Sequence, residues 1–200
     1  MISNICKIEK GTKDLEAILK ESESVALYNG FTQKQTLQLR LLCEELDGML
    51  PNLIDDFDGD FWIEYDEGTV KVNATVEIPR FNISKKEELI SVAKNKKNAA
   101  AVGIVGRIRN TLENFFLSEQ CADEYIPSPE LAYYTNYGES VDYYCLWTLN
   151  QYRDTVNDEK KDEWDELEKS IIANLADDVV VSVKGNNVEI AIIKKFNKEN

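Results

Sequence analysis

Histidine is absent from the 200 residues. That absence removes Ser-His-Asp and Cys-His catalysis, histidine metal ligation and any phosphohistidine relay within the chain. Cysteine is sparse. Cys6, Cys43, Cys121 and Cys145 are scattered with no C-x-x-C pair, so neither a zinc site nor a disulfide framework is expected and the thiols read as small hydrophobes. No apolar run approaches the ~20 residues of a membrane span. The opening MISNICKIEKGTKD has no hydrophobic signal segment, which sets the expectation of a cytoplasmic protein without a membrane partner. Basic residues are in deficit, 23 Lys and Arg against 37 Asp and Glu, for a net charge of −14. Such a chain repels a phosphate backbone, so nucleic acid is not an expected partner, whereas a basic protein surface is compatible. No internal repeat or low-complexity tract interrupts the chain.

What is present is a chain with 43% apolar and 30% charged residues, enough for one substantial core. Its organising stretch is Gln33 to Leu53, QKQTLQLRLLCEELDGMLPNL. There Leu39, Leu42, Leu46, Met49, Leu50 and Leu53 recur at three- and four-residue steps, gathering one apolar stripe suited to lying on a sheet. Thr32 is the expected N-cap, with Gln35 as its capping-box partner. Glu44 and Glu45 fall mid-helix at the edge of that stripe, as candidate acid–base residues. The plain alternative for one of them is a surface pair with Arg40 at i,i+4.

Around this helix the pattern predicts a short edge strand at Ile5–Ile8 and a helix over Thr12–Ser24 ending before Asn29-Gly30. A hairpin of Phe61–Tyr65 and Thr69–Ile78 turns at Asp66-Glu67-Gly68. Pro79 closes that hairpin, and Ser84 caps a short helix, Lys85–Ala93, before a basic loop with Lys94, Lys96 and Lys97. An apolar helix over Ala99–Phe116 carries Gly103 and Gly106, which cost roughly 1 kcal/mol each inside a helix and so imply close packing or a ligand against the backbone. Residues 117–176 form an aromatic-rich insert, with a turn near Pro129–Tyr134 and helices over Glu139–Val156 and Lys160–Ala176. Val179–Val183 and Val188–Ile193 close the chain as a second hairpin. Two antiparallel hairpins under helices predict a single α+β domain, a mixed, mainly antiparallel sheet covered by one helical layer, with the 117–176 segment as a helical insert.

Two further features invite functional readings. Asp56, Asp58, Asp60 and Glu67 fall at calcium-loop positions 1, 3, 5 and 12, but position 6 is Phe61 and not glycine, so no metal site is expected. Tyr125, Tyr133, Tyr134, Tyr137, Tyr143, Tyr144, Trp147 and Tyr152 crowd the insert, as a partner- or small-molecule-binding surface or as a cap over the sheet.

The element order, with LRLLCEELDGML in the central helix and AAAVGIVGRIRNTL in the later one, resembles the histidine kinase-like (GHKL) ATPase superfamily, and within it the small anti-sigma-factor kinases. The closing VVVSVKGNNVEIAIIKKF looks like the last two strands of that fold. The resemblance covers roughly residues 12–116 and 177–196. It implies ATP with magnesium, a general-base glutamate at Glu44 or Glu45, a magnesium-binding amide four residues on, and phosphate-receiving glycines at Gly103 and Gly106. The sequence departs from that pattern in two places. Framed on Glu44 the amide position is Gly48, with Asp47 beside it, and framed on Glu45 it is Met49. The adenine-binding Asp-x-Gly has no counterpart in VEIPRFNISKKEE after the second strand. The expectation is therefore a bacterial signalling protein with a degenerate nucleotide site and no certain cofactor, acting on a protein partner in anti-sigma-factor fashion, with a homodimer compatible. An active ATP-binding serine kinase and a small-molecule-binding module are the alternatives.

Overall fold

A computed structural model describes residues 1–11, 15–54, 56–77, 103–119, 143–156 and 170–196. Its centre is helix α2, Gln33–Leu53, which begins where the capping signal placed it. The Thr32 side chain accepts from the Gln35 backbone N–H, and the Gln35 side chain accepts from the Thr32 backbone N–H. Pro51 lies in the last turn, and the Ile54 N–H closes the helix on Leu50 O at 3.0 Å. The stripe predicted from periodicity is the buried face, joined by Cys43.

Helix α1, Leu15–Tyr28, packs against α2. It runs one turn beyond the predicted Ser24 because Val25 and Ala26 continue its buried face. Gly30, at φ +66, ends it. Gly30 N–H donates to Leu27 O and Phe31 N–H to Ala26 O, the two bonds of a Schellman motif. Phe31 then packs edge-on between Tyr65 and Phe196, at 5.3 and 5.1 Å.

The strands are β1 (Cys6–Glu9), β2 (Asp58–Asp66), β3 (Thr69–Glu77), β4 (Tyr143–Thr148), β5 (Asp178–Lys184) and β6 (Asn187–Lys195). They form one sheet in the order β1-β2-β3-β6-β5-β4, and every pairing is antiparallel. Both predicted hairpins are present. Glu67 and Gly68 have φ of +44 and +89, as a two-residue I′ turn requires, and Gly185 at φ +60 opens the second turn. Alternation sets the faces. Phe61 and Ile63, Val70, Val72 and Val76, Val179, Val181 and Val183, and Val188, Ile190 and Ile192 point into the core under the helices. Gly59 of β2 is a point of close approach: a Cβ there would overlap the Thr75 carbonyl oxygen and come within 2.9 Å of Val76.

Helix α3, Gly103–Glu119, packs along α2 and contributes Ile104, Ile108, Leu112 and Phe115 to the same core. The α+β sandwich is therefore as expected, but part of the insert is not. Residues 143–148, expected within a helix over Glu139–Val156, are the edge strand β4, in which Cys145 and Trp147 are buried and Tyr144 and Leu146 half-buried. Strand pairing with β5 overrides a helical spacing of aromatics whose residue types favour strands in any case. Thr148 caps the short helix α4, Leu149–Thr155, by accepting from Gln151 N–H. Helix α5, Ile171–Leu175, falls within the second predicted helix, but Ser170 before it is extended, at φ −76 and ψ 123, and caps α5 by accepting from Ala173 N–H, so a helix expected to run unbroken over Lys160–Ala176 is interrupted there. Arg153 joins these pieces, donating to the Ala173 carbonyl within α5 and to the Ala176 and Asp177 carbonyls just past its end. The Thr12 helix start, the Pro79 strand end, the Ser84-capped helix, the Lys94–Lys97 loop, the Pro129–Tyr134 turn, the helix over 160–169 and the aromatics between 120 and 142 lie outside the described residues. No described helix is long and apolar enough to cross a membrane.

Candidate functional site

The buried stripe of α2 leaves Glu44, Glu45 and Asp47 at half-buried positions and Gly48 exposed. Arg40 fixes the first of these. Its Nε donates to Glu44 Oε1 at 3.1 Å and its Nη1 to Glu23 Oε1 at 3.0 Å, so one guanidinium ties two carboxylates and links α2 to α1. A general base needs a carboxylate directed at the proton it will take, and Glu44 is directed at an arginine. Glu45 differs. Burial first, and the neighbouring Glu44 second, raise its carboxyl above the usual range. Cys43 beside them is enclosed, and burial pushes its thiol well above the ordinary value, which removes it as a nucleophile. Burial also holds the Cys145 thiol up, to about 11.

Gly48 sits in open space, since a Cβ there would meet nothing within 4 Å. The glycine is thus not demanded by packing, and an asparagine would fit. The nearby amide comes instead from Asn52, one turn on, whose Nδ2 donates to Gly48 O at 3.0 Å. Arg109 of α3 in turn donates to Asn52 O at 3.2 Å, while its Nε holds Glu113 at 2.8 Å. The structure therefore brings the last turns of α2 and the first turns of α3 together, while Glu44 is drawn the other way, toward α1.

Gly103 and Gly106 were expected inside a helix. Gly103 is instead the first residue of α3, at φ +84, a conformation glycine adopts without strain, and Gly106 is buried one turn later. The two glycines shape a helix start, and the interior cost inferred from sequence does not apply to Gly103. Asn52 and Arg109 were not singled out in the sequence. Their polar spacing on two separate helices carries no local signal, and only the packing of α3 on α2 joins them.

Asp58 and Asp60 lie on strand β2, with Asp60 Oδ1 2.7 Å from Lys7 Nζ, so the calcium-loop spacing falls on extended backbone. Among the described residues no three cysteine or carboxylate side chains are grouped to hold a metal ion. An open groove of about 320 Å³ is lined by Glu9, Lys10, Asp56, Phe57, Asp58 and Glu77, and shares no residue with the predicted site. Neither a protein-family model, nor a curated protein, nor a solved structure matches the chain.

Proposed function

We infer that the chain is a cytoplasmic regulatory protein with a histidine kinase-like ATPase fold, whose nucleotide motif has lapsed and which acts by protein–protein contact in the manner of an anti-sigma factor. The observation that carries this reading is the flank of α2. Of the two glutamates that the resemblance offers as the base, Glu44 is tied to Arg40, and the positions four residues on from Glu44 and Glu45 are Gly48 and Met49, neither of which has an amide to hold magnesium. The order of central helix, hairpin, glycine-led helix and closing hairpin under one helical layer supports the fold half of the proposal. Net charge −14 supports a basic protein partner over nucleic acid.

The serine-kinase alternative draws support from Glu45, a half-buried carboxyl with a raised affinity for its proton, as a general base requires. Calorimetric titration with ATP, with and without magnesium, on the wild type and on Gly48→Asn separates the two. The lapsed-site reading expects no magnesium-dependent binding by the wild type and a gain in the variant, because Gly48 has room for the amide. Micromolar magnesium-dependent binding by the wild type would transfer the conclusion to the kinase.

A further inference from the structure

Helices α1 and α2 expose leucines on the side away from the sheet. The two helices are joined by the short segment 29–32 and pack against each other, so they run antiparallel. The pair between Glu23 and Arg40 fixes their level. Leu27, one turn on from Glu23, therefore stands beside the start of α2, where Leu37 lies one turn before Leu41. These three leucines are 85%, 54% and 38% exposed, whereas Leu39, Leu42 and Leu46 of the same α2 are fully enclosed. Periodicity on the core side of α2 does not call for Leu37 and Leu41, which point the other way.

The leucines border a group of unequal charge. Arg40 donates to Oε1 of Glu23 and to Oε1 of Glu44, so one guanidinium serves two carboxylates and one negative charge is left in excess. Among the described residues no other cation pairs with either carboxylate, and Glu45 and Asp47 follow on the same acidic flank. All three side chains of the group are a third or more exposed, so solvent reaches them. A molecule that covered the leucines would strip that solvent, and charge taken out of water without compensation is costly, so the cover must bring a cation. A second copy of this chain is a poor cover, since a two-fold contact sets the same patch against itself between chains of net charge −14. The backbone bonds of α1 and α2 are made within each helix, so no strand can add here. Recognition must run through side chains, as it does when an amphipathic helix lies across others.

We propose that the outer face of α1 and α2 is the docking surface for a basic amphipathic helix of a partner protein. Its apolar face covers Leu27, Leu37 and Leu41, and a lysine or arginine at the edge of that face completes the Glu23–Arg40–Glu44 group. The proposal rests on the protein-contact reading above and gives that contact a place and a partner chemistry.

Selection on the full chain from a displayed library of helical peptides tests it. The peptides carry leucine at i, i+3, i+4 and i+7, with flanking positions randomised over Lys, Glu and Gln. Recovered binders are expected to hold Lys on the flank. Their affinity is expected to fall about tenfold or more on Leu37→Ser and on Leu41→Ser, with circular dichroism confirming that each variant folds. Both substitutions leave the net charge unchanged, so binding that survives them intact is general charge attraction and overturns the proposal. Glu23→Gln removes the excess charge, and the advantage of Lys over Gln in the peptide is expected to shrink; an undiminished advantage overturns the assigned role of the cation. Recovery of acidic or uncharged flanks, or of no binder, overturns the docking surface as a whole. Titration with magnesium ATP separates this outcome from the reading beneath it. A wild type that binds nucleotide and still selects the expected peptides removes the lapsed site and leaves the docking surface, and one that binds neither does the reverse.

Discussion

The two sides of α2 contrast. The side toward the sheet is continuous and apolar: Leu39, Leu42, Leu46 and Leu50 are fully enclosed against strands whose inward residues alternate without interruption. The outward flank is polar and partly paired, with Arg40, Glu44, Glu45, Asp47 and Gly48 in succession. The first side is under the tight demands of packing, where a single methylene matters. The second shows no such demand at Gly48 and has turned Glu44 to a surface ion pair. The contrast teaches that the residues that pack this helix on the sheet and the polar residues along its outer flank are separate sets, so that the flank can change without disturbing the core.

The largest expected effect lies on the sheet side. Gly59→Ala drives a Cβ into the Thr75 carbonyl and the Val76 backbone, neither of which can turn aside. A loss of about 3 kcal/mol or more is expected in urea unfolding. A variant within about 0.5 kcal/mol of wild type would mean that β2 and β3 are not as closely joined there. Leu46→Ala removes a fully enclosed side chain and is expected to cost about 3 kcal/mol, whereas Leu37→Ala, at an exposed position of the same helix, should cost little beyond a shift in helix propensity. Equal losses at the two sites would abolish the contrast.

On the flank the effects shrink. Arg40→Ala breaks two ion pairs between side chains that are a third or more exposed, and is expected to cost under about 1 kcal/mol, with the difference narrowing as salt is added. A larger loss that ignored salt would mark Arg40 as part of the core. Glu45 gives the smallest effect, and its sign is diagnostic. Its carboxyl binds a proton more tightly folded than unfolded, so the unfolded chain ionises first and stability falls as pH rises from the ordinary glutamate range toward the folded value. Glu45→Gln should therefore be slightly more stable than wild type at neutral pH, with the advantage fading under acid conditions. A destabilised Glu45→Gln at neutral pH would show that the ionised carboxylate has a partner that holds it.

How much of this was legible depended on whether the signal was local. The α2 start, its buried stripe and both hairpin turns follow from residues within a few positions of one another, and each lies where the sequence put it. The Arg40–Glu44 pair was also visible as an i,i+4 spacing, though nothing in the sequence added Glu23, seventeen residues from Arg40. Strand β4 falls where a helix over Glu139–Val156 is expected because the three- and four-residue steps from Tyr144 to Trp147 and on to Gln151 match a helical repeat by coincidence. The stretch YYCLWT, strand-favouring residues ending in a threonine able to cap the next helix, was the available signal. The close approach at Gly59 and the link from Arg109 to Asn52 depend on which strand or helix arrives from elsewhere in the chain. No window of sequence around either position contains that information.

The most direct test of the proposal that the flank of α2 serves no nucleotide is amide hydrogen exchange over residues 33–53 and 103–119 with and without millimolar magnesium ATP. A bound phosphate would be held by backbone N–H groups at the start of α3 and would slow their exchange. The account predicts identical exchange in both helices. Protection appearing at 103–106 together with the turn around Gly48 would contradict it, and would return α2 and α3 to the walls of a working nucleotide site.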